Sequence, residues 1–390
     1  MIPYGRQDIS NEDIENVIET LKSDFITQGP KIEKFENEIL KKVGSKYAVA
    51  ANSATSCLHL ACMALELKEN EWVWTSPNSF VASANAALYC KANVDFVDID
   101  PYTYNISCQK LEEKLLIAKR NNLLPKILIP VHFGGQSCEM EKIFQLSKEY
   151  GFKIIEDASH AIGGEYKGKK IGSCEYSSIT VFSFHPVKII TTAEGGIATT
   201  NDKILAKKMA MDRTHGIERL NQDHNKNRNS EIWNYQQNRL GFNYRLNDLQ
   251  ASLGLSQLKR LDEFISKRNK IAEFYDNNFS TLGIQLPHII KNSKSSYHLY
   301  PIRVSSSKGG INQNELFYEL RKNNIGVNLH YIPIYRQPYF QKLGFKKGYC
   351  EEAERYFKEV ISIPIFSKLS NADQEKIVKI ITKTIHNHIS

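Results

Sequence analysis

The 390-residue chain has no apolar run long enough to cross a bilayer, no C-x-x-C pair and no block of like charge. The first absence argues against an integral membrane protein, because a helical span needs about 20 consecutive apolar residues. Seven cysteines (Cys57, Cys62, Cys90, Cys108, Cys138, Cys174 and Cys350) lie scattered, an odd set without metal spacing. Such a set reads as reduced thiols of the cytosol. The N-terminal MIPYGRQDISNED has neither a basic stretch nor an apolar core, so no secretion and a cytoplasmic location are expected. The formal charge of +8 is a mild excess spread along the chain. Nucleic-acid binding leaves a clustered basic footprint, so a pocket for small anions accounts for the balance equally well and no nucleic-acid partner is expected.

Two nucleotide motifs are also missing. No G-x-G-x-x-G follows the first strand-like segment, which removes the usual dinucleotide fingerprint. Gly163-x-x-x-x-Gly168-Lys169 approaches a P-loop but places Lys170 where Ser or Thr must hold magnesium. Asp95, Asp98 and Asp100 look like a metal cluster, yet strand alternation separates two of them and loop solvation is the simpler reading. No metal site is expected.

What is present is an alternation of short β-branched runs and helical patterns between residues 46 and 201. Lys46–Ala51, Trp72–Ser76, Val94–Ile99, Ile127–His132, Lys153–Glu156, Ser178–Phe184 and Ile197–Thr200 read as seven strands. Helical periodicity covers 55–67, 79–90, 107–121 and 138–150. This order predicts an α/β fold with a large, mostly parallel seven-stranded sheet covered on both faces. Gly163–Gly172 is glycine-rich with turn spacing, which suggests a hairpin or an excursion. Residues 217–240 are polar and without period, hence a long loop, and Arg245–Phe279 is helical, as one helix or two. Strands at Tyr297–Val304 and Gly326–His330, with helices near 312–324, 350–360 and 371–387, suggest a small α+β domain. The boundary falls near 250, giving a large domain over 1–250 and a C-terminal one over 251–390.

Three segments carry chemistry. Ile154–His160 is a buried strand running into polar residues, and ligands of parallel sheets sit beyond the carboxyl ends of strands, where Asp157 and His160 lie. Asp157 reads either as a helix N-cap or as the partner of a protonated pyridine nitrogen. Lys188 follows VFSFHPV and precedes IITT, and an amine in apolar surroundings loses proton affinity, as a nucleophilic lysine requires. Asn52-Ser53-Ala54-Thr55-Ser56 opens a helix, where exposed amides and hydroxyls seat an anion or simply cap the helix; Ser183 adds a hydroxyl. A carboxylate, a desolvated lysine and an anion seat together suit pyridoxal 5'-phosphate (PLP).

The ordered motifs NSATS, TSPNSFVASANAA, EDASHAIG, FSFHPVKIITTAEGG and GFNYRLND resemble those of the nucleotide-sugar aminotransferases, PLP enzymes of the aspartate aminotransferase fold (fold type I). The resemblance runs from ITQGP at 26–30 to NLHYIPIYRQPY at 328–339 and leans toward the pseudaminic acid branch. It implies that Lys188 carries PLP as a Schiff base, that Asp157 holds the pyridinium and that His160 lies beside the cofactor. It implies further that Phe80 stacks on the ring, that Ala54, Thr55, Ser56 and Ser183 surround the phosphate, and that Asn243 reaches it from a partner subunit. Tyr4, Thr27, His330 and Tyr331 match positions lining a sugar-nucleotide pocket. The implied substrates are L-glutamate and a UDP-linked 4-keto-6-deoxy-N-acetylhexosamine, in a homodimer with shared sites. The alternatives are a bacillosamine-type 4-aminotransferase, a 3-aminotransferase on another nucleotide keto sugar, and a non-catalytic regulator of the same fold. Retention of Lys188 and Asp157 speaks against the last.

Overall fold

The computed structural model describes residues 1–219, 235–305 and 310–389. Two amphipathic helices open the chain, α1 (Asn11–Leu21) behind a Ser10–Asp13 capping box and α2 (Pro30–Val43) with proline in its first turn. The sheet region follows as β1 (Tyr47–Ala51), α3 (Ala54–Ala64), β2 (Trp72–Thr75), α4 (Ala82–Tyr89), β3 (Asn93–Phe96), α5 (Cys108–Arg120), β4 (Ile127–Ile129), α6 (Met140–Tyr150) and β5 (Lys153–Asp157). A short hairpin, β6 (Glu165–Tyr166) and β7 (Lys169–Lys170), then leads to β8 (Ile179–Ser183), β9 (Gly196–Thr200) and α7 (Lys203–Asp212).

Seven strands form one sheet in the order β1-β9-β8-β5-β4-β2-β3. Five of them, from β8 to β3, pair in parallel, and their near-continuous apolar runs are buried on both faces, as a parallel sheet requires. The exception is β9, antiparallel to both β1 and β8. The connection from β8 to β9 crosses no helix, so the chain returns beside its own strand instead of making the crossover that parallel pairing needs. That excursion carries residues 184–195, and with them Lys188.

Beyond the sheet, β10 (Ile217–Arg219) pairs antiparallel with β11 (Tyr235–Gln237), where polar sequence without period predicts loop; its residues 220–234 lie outside the described residues. The long helical stretch is two helices, α8 (Asp248–Lys259) and α9 (Leu261–Phe279), meeting at Arg260. Next come β12 (Ser293–Lys294), which pairs with β6, then β13 (Tyr300–Arg303), α10 (Gln313–Lys322), α11 (Pro338–Lys342), α12 (Glu351–Glu359), β14 (Val360–Ile363) and α13 (Asn371–Ile389). The expected strand at Gly326–His330 is reduced to a single bridge between Asn328 and Ser362. Its partner β14 follows α12 without a turn signal, which hides it from sequence.

Helix α9 faces two apolar clusters. Leu261 and Phe264 pack with Phe35, Phe182 and Phe184 against the sheet, while Ile271, Tyr275 and Phe279 join Tyr300, Ile302, Leu316 and Ile377. The three suspect aspartates have structural partners: Asp95 pairs with Lys114, Asp98 accepts from the Glu352 and Ala353 amides at the start of α12, and Asp100 closes a turn. Among the described residues no helix is long and apolar enough to cross a membrane.

Asp248 ties the N-terminal helices to this frame. Its buried carboxylate accepts the Gly29 amide at 2.8 Å and the Lys31 amide at 2.9 Å, satisfying donors that open α2. Asp248→Ala strands both amides, so we expect a loss of about 1–3 kcal/mol in urea denaturation. An unchanged midpoint would show that water replaces the carboxylate at no cost.

Candidate active site

The carboxyl ends of β5 and β8 open onto a cavity of about 440 Å³. Its walls include Asp157 and His160 from the β5 end, Ser183, His185 and Lys188 from the β8–β9 excursion, and Ser53, Ala54 and Thr55 from the start of α3. Tyr4, Ser79, Phe80, His298, His330 and Tyr331 complete it. Most residues expected from sequence therefore converge here from six separate stretches of chain.

Parallel pairing of β5 with β8, in register Asp157 with Val181, sets the two reactive groups at one sheet end. Lys188 stands among protein atoms with only partial access to the cavity, and this burial depresses its amine to about 8, with Asp157 pulling the other way. Asp157 is itself buried and held by hydroxyls. Its Oδ1 accepts from the Ser159 hydroxyl (2.6 Å) and amide (3.1 Å), and its Oδ2 from the Ser83 hydroxyl at 2.6 Å. A carboxylate oxygen takes about two hydrogen bonds, so Oδ2 keeps acceptor capacity while Oδ1 is filled. The Ser83 hydroxyl lies 2.7 Å from that of Ser79, which faces the cavity.

The anion seat forms where β9 begins against α3. Gly196 approaches so closely that a Cβ there would stand 2.4 Å from the Ala54 nitrogen. Ser53 caps α3 by accepting the Ser56 amide, which leaves the amides of Ala54 and Thr55 without intrahelical acceptors at the positive end of the helix. Ser56 is buried behind this seat, its hydroxyl donating to Asn52 Oδ1 at 2.6 Å.

A group of neutral rings covers the opposite wall. His160 Nδ1 accepts the Gly134 amide, so the ring proton sits on Nε2 and is donated to the Tyr331 hydroxyl at 3.2 Å. Burial together with Lys188 and His330 holds His160 well below the ordinary histidine range. His330 bonds Ser362 through Nδ1, packs against Tyr4, and is lowered by burial to about 3. The Tyr331 phenol is pushed up by burial, so it stays a hydroxyl.

Two expected residues lie elsewhere. Asn243 is exposed opposite Thr214, and Thr27 is exposed opposite Asn247; neither lines this cavity. Conversely, Ser79, Ser83 and His298 belong to the site without having been singled out. Ser83 lies inside the motif TSPNSFVASANAA, one helical turn after Phe80, whereas nothing local marks His298.

An amine, a facing carboxylate with spare acceptor capacity, an exposed aromatic (Phe80, 62% accessible) and an anion seat fit PLP in each of its parts. Gly196→Ala should weaken PLP uptake by about tenfold or more, since its methyl displaces backbone at the seat, while Gly5→Ala, with open space around it, should leave uptake unchanged. Equal titrations of both variants by visible absorbance would remove the seat from this place.

Known proteins agree with the geometry. The model of the DegT/DnrJ/EryC1/StrS aminotransferase family matches residues 7–382. The chain is 40% identical over 380 residues to the UDP-4-amino-4,6-dideoxy-N-acetyl-beta-L-altrosamine transaminase of Campylobacter jejuni strain 81-176, covering 97% of this chain and 96% of that one. Helicobacter pylori PseC, described as an aminotransferase of pseudoaminic acid biosynthesis, superposes with a TM-score of 0.89 at 32% identity over 99% of both chains. Spr1654 of Streptococcus pneumoniae, in its PLP form, gives 0.87 at 28% identity over the full length of both. A fold of type I, a cavity built for PLP and a family match across nearly the whole length lead to one conclusion: this chain belongs to the DegT/DnrJ/EryC1/StrS aminotransferase family and is a PLP-dependent aminotransferase.

Proposed function

We propose that the enzyme transfers the amino group of L-glutamate to the 4-keto carbon of UDP-2-acetamido-2,6-dideoxy-beta-L-arabino-hex-4-ulose, the amination step of pseudaminic acid biosynthesis. The observation that carries this reading is the meeting of the Lys188 amine and the Asp157 carboxylate in one cavity with the Tyr4, His330 and Tyr331 wall. The name of the Campylobacter jejuni relative supports the sugar.

Bound PLP supplies an electron-accepting ring that stabilises negative charge on the carbon bearing the amine. Lys188 is the attachment point and the proton carrier. With its amine lowered to about 8, about one Lys188 in ten is a free base at pH 7, against well under one in a thousand for an ordinary lysine. Asp157, held by the Ser83 and Ser159 hydroxyls with Oδ2 still able to accept, would pair with the pyridine nitrogen of bound PLP and favour its protonated form. Phe80 would stack on the ring of bound PLP and the amides of Ala54 and Thr55 with Ser183 would hold its phosphate, while Ser56 braces that turn through Asn52. His160, neutral and fixed between Gly134 and Tyr331, would lie beside the cofactor.

Tyr4, His330 and Tyr331 present the polar groups that select the sugar. Thr27 and Asn243 are themselves exposed and both lie along the 243–247 stretch, and that placement supports their serving the second site of a homodimer.

Three measurements test this reading. PLP added to the apoprotein should produce a visible band, and borohydride reduction with peptide mapping should place the label on Lys188. The uptake rate should rise with pH and level off above about 8, because the free amine is the reacting form and its fraction grows as pH passes that value. Asp157→Asn should move that inflection to lower pH, since the carboxylate is what raises Lys188, and should slow the glutamate half-reaction on the order of a hundredfold. Wild-type rates would assign the pyridinium partner to another residue.

For the sugar, mass spectrometry of the product should show amination, and kcat/KM should favour the L-series keto sugar over its D-series counterpart by about tenfold or more. The opposite preference would place the enzyme in the bacillosamine-type branch.

A further inference from the structure

Four histidines line the cavity, and one of them differs from the rest. His160, His185 and His330 each hold a ring hydrogen bond to the protein. His298 is 5% exposed, and among the described residues its Nδ1 has no hydrogen-bond partner and is sealed inside the protein, which leaves Nε2 as the ring nitrogen that can meet a ligand. A buried polar atom left unpaired is costly, and native structures leave few of them without a reason. Here the ring forms part of the wall of a ligand cavity, its centroid 4.4 Å from that of His160.

The backbone that carries His298 is held from every side. Tyr297 adopts a positive φ of 46°, a conformation uncommon for a bulky residue. Gly135 lies so near that a Cβ would meet the Tyr297 nitrogen at 2.8 Å and the His298 nitrogen at 3.0 Å. Ser296 bonds the Gly135 and His160 carbonyls, and the Leu299 amide bonds Gly134. From α9, Arg268 Nη1 donates to the carbonyls of Tyr297 (3.1 Å), Ile365 (2.9 Å) and His298 (3.4 Å). Strained backbone fixed by this many contacts is characteristic of ligand-holding positions.

Arg268 adds charge. It is 2% exposed, its Nε has no partner, and among the described residues it forms no ion pair with a carboxylate. Burial lowers it only to about 10, so it remains a cation directly behind His298. Lys188, His160 and Arg268 all act on the His298 ring, which burial and these neighbours keep neutral. A neutral imidazole offers one N–H donor, and the field behind it favours an anion.

We propose that His298 is a specificity-determining residue that donates a hydrogen bond to the α-carboxylate of the amino donor, with the unpaired Arg268 cation behind it supplying the attracting field. The carboxylate and the reacting amine of an amino acid share one carbon, so a donor that reacts at Lys188 carries its carboxylate to the adjoining wall. The inference rests on the aminotransferase activity and does not depend on the identity of the sugar.

The test uses the PLP-loaded enzyme and its His298→Phe, His298→Asn and His298→Gln variants. Visible absorbance and melting temperature first confirm loading and folding. The dissociation constant of 2-oxoglutarate, which binds the PLP form without turnover, should rise about tenfold or more in His298→Phe and recover in part in the Asn or Gln variant. Wild-type enzyme should prefer L-glutamate strongly over its α-amide, isoglutamine, in the half-reaction, and His298→Phe should shrink that preference. Unchanged 2-oxoglutarate binding, equal losses on glutamate and isoglutamine, equal failure of all three variants, or a loss confined to the keto-sugar half-reaction would each overturn the proposal. Absence of any visible band in the wild type is a different failure, that of PLP attachment at Lys188.

Discussion

Everything at this site depends on the parallel pairing of β5 with β8. Parallel strands run out at the same sheet edge, so their carboxyl ends deliver side chains to one place without any loop having to span the gap. Asp157 arrives as the last residue of β5, and Lys188 arrives on the excursion that leaves β8. The antiparallel return of β9 then closes the excursion and brings Gly196 against the start of α3, so one local reversal of strand direction builds both the lysine's setting and the anion seat.

The site resolves a conflict between burial and charge. A dry cavity lowers the proton affinity of Lys188, which favours a reactive amine, yet the same dryness penalises the carboxylate opposite. Hydroxyl donors from Ser83 and Ser159 meet that penalty at Asp157, and their direction also decides which oxygen remains open. Three of the ionisable rings in the wall, His160, His298 and His330, are held neutral by burial, so they contribute hydrogen bonds there without adding charge. Arg268 differs, a buried cation that among the described residues bonds carbonyl oxygens and no carboxylate, and its cost is consistent with a place where an anion docks.

The chemistry-bearing segments were readable in the chain because each is a local pattern. An apolar strand ending in Asp157, a lysine flanked by VFSFHPV and IITT, and a hydroxyl-rich helix start all occupy a few consecutive residues. The seven strands of the sheet were legible for the same reason, since burial on both faces demands continuous apolar runs. Features that rest on remote partners were not legible. The antiparallel sense of β9, the strand β14, and the division between α8 and α9 at Arg260 follow from what packs alongside them.

The sequence alone therefore determined the fold class and the cofactor and put forward Lys188 and Asp157 as candidates, because strand burial and lysine desolvation are written in neighbouring residues. Only the tertiary structure decided the rest. It placed Ser83 on Asp157 Oδ2 from 74 residues away, set Thr27 and Asn243 outside the cavity, and brought His298 to Lys188 with its Nδ1 unpaired. Hydrogen-bond vacancies and electric fields are sums over atoms gathered from the whole chain, and no stretch of sequence contains them until the chain has folded.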